Sequence, residues 1–327
     1  VRVQEIGNGA EIETVGIAGS TITLNDNITT DNNGDVTLTG AVELDTANIT
    51  IDTSATTSGD GGVVTFTSTL DNADATGRNL IIRTNASAVD IQGLIGGTNA
   101  IGTLTINDRA ADTGDITLTG IGDSAGLGAT TTAIGNAKTA GTVTLAGDDY
   151  HTGAATYTGG SFSITGTDPE FKTTDLAIEF AAADSTGGDV TLADAADLSV
   201  ATGTGSITFG GDILGTDNGV ATDVVLDSSG TVSVKSIGAN GSTADGNIND
   251  VTIDGSTITL NGTISTAVLG GTGATKATDL GVVDINGNVA LGGSTTIDTS
   301  ATGNDAEINI SGTVDNGQAL VIKSGGG

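Results

Sequence analysis

The chain has 327 residues, 53 of them glycine, with one proline, no cysteine, methionine or tryptophan, and a formal net charge of −31. The lack of cysteine excludes disulfides, thiolate metal sites and cysteine nucleophiles. Nine Lys plus Arg against 40 Asp plus Glu leave no basic footprint for nucleic acid, and no run of about 18 apolar residues predicts a membrane span.

From the amino terminus onward a short phrase recurs: a glycine or small residue, alternating β-branched residues, then glycine or another small residue. It reads GSTITLN at Gly19–Asn25, GDVTLTG at Gly34–Gly40, GDITLTG at Gly114–Gly120 and GTVTLAG at Gly141–Gly147. It continues as GGDVTLADA at Gly187–Ala195, GSITFGG at Gly205–Gly211 and GSTITLN at Gly255–Asn261. VVTFT at Val63–Thr67 and INDVTI at Ile248–Ile253 share the alternation, which is the mark of a half-buried strand. High net charge and few aromatics also mark disorder, but ordered alternation and a hydrophobic content of 36 % argue for a fold.

Longer echoes join these strands. IDTSAT at Ile51–Thr56 returns at Ile297–Thr302, and Thr67–Arg83 is echoed by Ser311–Lys323 with a shorter turn. Thr208–Leu226 is a looser copy. The length varies in the turns and not in the strands. Tandem sandwich domains would repeat over about 100 residues with Trp or tyrosine-corner markers, and none occurs. The pattern predicts a parallel β-solenoid with coils of about 20 residues, in the range of known solenoid repeats. Its core would be built from Val, Ile, Leu, Ala and Thr.

The solenoid is expected to run through residues 1–327 as one continuous domain, elaborated at about 148–185. Little or no helix is predicted; Thr174–Ala183, after the only proline, Pro169, reads as one helical turn or a bulged strand. Val1–Ile17 reads as more strand and Ser324–Gly327 as a cut through repetitive sequence. The rod is therefore expected to continue, in a longer chain or by end-to-end pairing of copies, because open strand edges otherwise need caps.

Most of the acids are aspartates, which suit turns because the carboxylate bonds nearby backbone amides. The oxygen-rich turns also make calcium the one cofactor to consider. The candidate ligands are Asp26, Asp31, Asp35, Asp71, Asp74, Asp245 and Asp250, although no EF-hand or calcium nonapeptide is complete. Asp148-Asp149-Tyr150-His151 is the one cluster with acid–base chemistry. It holds the only histidine, and the simpler reading is a turn after the strand Thr142–Ala146. Arg109, beside Asp108, is the nearest approach to a cationic base. Tyr150, Tyr157, Phe162, Phe171 and Phe180 crowd one stretch. They fill a wider coil, or Tyr150, His151, Tyr157, Phe162 and Phe171 form a lateral contact with another copy or a glycan.

The strings TFTSTLDNADATGRNLIIRTNASAVDIQGLIGGTNAIGTLTIND at Thr65–Asp108 and HTGAATYTGGSFSITG at His151–Gly166 resemble repeats of filamentous-haemagglutinin-like bacterial surface proteins. The resemblance implies a right-handed parallel β-helix, secretion to the bacterial surface, and a role as adhesin, fibre or matrix component. It carries no catalytic residue over. The expectation is thus a non-catalytic extracellular scaffold whose partners are its own copies and cell-surface glycans. The alternatives are a polysaccharide lyase or hydrolase and a calcium-dependent carbohydrate-binding module.

Overall fold

The computed structural model describes residues 1–7, 12–31, 33–46, 48–54, 61–123, 126–183, 187–216, 222–238, 248–266, 281–301 and 304–324. Every regular element among them is a β-strand. The strands pair in parallel, apart from a short antiparallel pair of Ser300–Ala301 with Asn304–Asp305. Thr174–Ala183 resolves as strand: it begins with a turn in which Asp175 takes φ 59 and continues into Ile178–Ala182. The chain divides into two compact units, Val1–Phe162 with Ala182–Gly187, and Ser163–Ala181 with Gly188–Gly327.

In the first unit two sheets take strands alternately. One holds Arg2–Val3, Val15–Leu24, Val36–Leu44, Val64–Phe66, Val89–Ile91, Ile116–Leu118 and Thr142–Leu145. The other holds Ile28–Thr29, Asn48–Asp52, Asn79–Arg83, Ile101–Ile106, Ala129–Ile134 and Asp149–Gly159. Each strand therefore bonds the strand one circuit of the chain later. In the second unit, Leu198–Ala201, Val224–Asp227, Val251–Leu260 and Val283–Leu291 pair in succession. Ile264–Ser265, Thr295–Asp298 and Leu320–Lys323 form a further parallel set.

The recurring phrase explains this pairing. In V-T-L the first and third residues point inward and the threonine outward, since successive strand side chains alternate faces. Val36, Leu38, Ile116, Leu118, Val143 and Leu145 are all 0 % exposed. Successive circuits stack like upon like: Val36 on Val64, Thr37 on Thr65, Thr117 on Thr144, Leu118 on Leu145. Slipping by one residue would turn every apolar side chain outward, so register is strongly specified. Burial of each such Val, Leu or Ile contributes about 1.5–3 kcal/mol.

Glycine closes the phrase where the strand bends. Gly40 and Gly287 take φ 127 and φ 154 inside the long strands Val36–Leu44 and Val283–Leu291. A Cβ at Gly40 would lie 1.7 Å from the Gly19 carbonyl oxygen, and one at Gly287 would lie 1.8 Å from that of Gly255. Close stacking of one bend on the previous one thus requires glycine at both places.

Other corners are closed by buried hydroxyls. Thr30, Thr53 and Thr84 donate to the carbonyls of Gly34, Gly62 and Ser87, at 2.5, 2.5 and 2.6 Å. In the second unit Thr173, Thr202, Thr266 and Thr299 donate to Leu176, Gly205, Gly281 and Ala306. The backbone amide of the clasp residue bonds the next circuit: Thr53 to Arg83, Thr202 to Asp227, Thr299 to Lys323. The span closed varies from 3 residues at Thr84 to 15 at Thr266. Turn length therefore varies outside a fixed clasp, and circuits run from the expected 20 residues, between the paired Ile22 and Val42, to longer ones. Asp35 reaches Val63 across 28 residues and Asp250 reaches Val282 across 32.

Candidate functional site

Chemistry in a chain this acidic depends on what its carboxylates already do. Many sit at corners and accept an amide from the following circuit. The Asp35 carboxylate accepts the Val63 amide at 2.8 Å, and Asp115 accepts that of Thr142 at 2.8 Å. In the second unit Asp197 accepts the Asp223 amide at 2.9 Å, Asp223 that of Asp250 at 3.0 Å, and Asp250 that of Val282 at 2.7 Å. Asp189 and Asp212 form a parallel column, ending on the Ser236 amide. Asparagine does the same work elsewhere: the Asn27 side-chain oxygen accepts the Thr50 amide and that of Asn79 accepts the Thr103 amide. Corner amides that would otherwise lack a partner are satisfied in this way.

Stacked carboxylates repel. Burial and the neighbouring Asp223 and Asp168 hold the Asp197 carboxyl above its ordinary pKa, against the lowering effect of the Asp223 amide. The opposite holds where a cation pairs. Arg78 grips Asp74 through two bonds of 2.8 and 2.9 Å and pulls its pKa down. Arg83 does so to Asp108 through bonds of 2.7 and 2.9 Å.

The calcium candidates are spread over separate turns. Asp26 accepts the amide of Asn27, and Asp31 accepts the Gly34 amide through its backbone carbonyl. Asp71 accepts the amides of Thr98 and Asn99, Asp74 is held by Thr76 and Arg78, and Asp35 and Asp250 belong to the corner bonds above. Asp245 lies outside the described residues. Among the described residues, no three acidic or histidine ligand atoms that include Asp26, Asp31, Asp35, Asp71, Asp74 or Asp250 come within 4.8 Å of one another.

The aromatic stretch is interior. Tyr150, Tyr157 and Phe171 are 0 % exposed, Phe162 is 1 % and His151 is 4 %. Their side chains fill the core and present no surface for a lateral contact. The Tyr150 hydroxyl donates to the Leu118 carbonyl at 3.0 Å and accepts the Gly147 amide at 3.1 Å. Burial raises the pKa of both tyrosines. In the second unit Phe180 packs edge-on against Phe171, with centroids 5.2 Å apart, and stacks on Phe209 at 4.7 Å. Strand pairing of Ile178–Ala182 with Ile207–Phe209 aligns the latter two rings.

His151 lies on the strand Asp149–Gly159. Its Nδ1 is 2.5 Å from the Asp123 carbonyl, which can only accept, so Nδ1 carries the proton. Nε2 is 3.8 Å from Asp149, beyond hydrogen-bond reach. The imidazole is fixed by backbone on one side and faces a half-exposed carboxylate on the other.

One cluster was not legible as a unit. Arg109, the nearest approach to a cationic base in the sequence, spans Asp52 at 3.3 Å and the fully buried Asp112 at 3.2 Å. Asp112 also accepts the amides of Asn85 and Arg109, both at 3.0 Å. The Asn136 side-chain amide lies 2.7, 2.7 and 2.8 Å from the carbonyls of Asn107, Arg109 and Asp112. Its two hydrogens are shared among three acceptors. The cluster ties four successive circuits together, those of Asp52, Asn85, Arg109 and Asn136, at the corner that Thr84 closes in the second of them. The sequence signal for the clasps was present in the repeated Asp-Thr-Ser of Asp52–Ser54 and Asp298–Ser300, where a threonine follows a strand end.

No family model, curated protein or solved structure matches this chain.

Proposed function

We propose that this chain is a non-catalytic right-handed parallel β-solenoid of the bacterial cell surface, serving as a structural or adhesive scaffold. The observation that carries this reading is the use of its polar side chains. Many carboxylates, amides and threonine hydroxyls are engaged by backbone groups of the same or a neighbouring circuit, from Asp35 to Thr299. Supporting it further are like-on-like stacking in each unit and pairing that advances one circuit at a time, the arrangement a solenoid requires. The cell-surface setting rests on the resemblance of Thr65–Asp108 and His151–Gly166 to haemagglutinin-like repeats.

Cryo-electron microscopy of the purified chain, with a panel of acidic and neutral polysaccharides, tests this. The expected result is a stack of coils at about 4.8 Å spacing and no depolymerisation of any glycan. Depolymerisation that disappears in both Asp149→Ala and His151→Ala would overturn the non-catalytic reading in favour of an enzyme using that pair.

A further inference from the structure

We draw no further inference here: the strongest candidate, the outer edge of the strands between Ile308 and Lys323, where Val314, Val321 and Ile322 stand exposed, is an apolar face and nothing in the structure shows what covers it.

Discussion

Corners are closed differently in the two units. In the second, hydroxyls recur at Thr173, Thr202, Thr266 and Thr299, with Ser228 reaching back to Gly205. In the first, the series Thr30, Thr53, Thr84 gives way to Asn107, Arg109, Asp112 and Asn136. Both solutions pair backbone groups that burial would otherwise leave unsatisfied. A hydroxyl closes one carbonyl and is indifferent to the length of the turn outside it. The charged cluster satisfies several groups at once and fixes the turn between Asn107 and Asp112. Removing a member should therefore hurt more in the cluster than in a clasp.

Asp112→Ala is the severest test of that contrast. It strands the Asn85 and Arg109 amides and leaves the Arg109 guanidinium without its buried partner. The expected loss is about 3 kcal/mol, the low end for breaking a buried pair, read as a fall in the urea midpoint. A loss under about 0.5 kcal/mol would show that the cluster is ornamental.

Thr84→Val and Thr202→Val should each cost about 1–2 kcal/mol, the penalty of leaving a buried carbonyl unpaired. Thr→Ser at either position keeps the hydroxyl and should recover most of it. If valine and serine variants melt together, the clasp is packing and not hydrogen bonding.

The strands and their faces were legible in the sequence because period-two alternation is local. Val36, Leu38, Ile116 and Leu118 could be assigned inward from the phrase alone. The glycines ending the phrase were read as corners, but the reason for Gly40, a carbonyl of the previous circuit within contact, needs the stacked neighbour. The Arg109 cluster was not legible for a related reason. Asn136 meets Asn107 across 29 residues and Arg109 meets Asp52 across 57, and circuit length varies too much for spacing to reveal either. The aromatics between Tyr150 and Phe180 were found as a group, but composition alone could not choose between filling a core and meeting a partner. The burial of the rings makes that choice.

Turn insertion separates the two closures by a smaller effect. Doubling the stretch between Thr299 and Ala306 with Gly and Ser should cost about 0.6 kcal/mol, the loop-entropy increment. The same insertion between Arg109 and Asp112 should cost several times more, because it separates the Arg109 amide and side chain from the carboxylate they share. Equal costs would mean that the cluster tolerates length as a clasp does.

The smallest effect is electrostatic. Asp197→Asn keeps the oxygen that accepts the Asp223 amide and removes the charge beside Asp223 and Asp168. Because the folded state raises the pKa of Asp197, folding favours its protonated form. Its contribution is favourable below the ordinary carboxylate value near 3.8 and is lost as pH rises through the raised one. The variant should therefore melt slightly higher than the parent at pH 7, with the gap closing below the ordinary value. Asp108 is the opposite case. Arg83 lowers its pKa, so its contribution is present above the ordinary value and lost as pH falls through the lowered one. Asp108→Asn should melt lower at pH 7, and its deficit should shrink in acid. The part of the Asp197→Asn gain that comes from Asp223 and Asp168 should also fade as salt is raised from about 0.01 to 0.1 M, which shortens the screening length from about 30 to 10 Å, while the part due to burial should persist. A gain that survives salt and acid alike would place its origin in packing at the corner instead of in carboxylate repulsion.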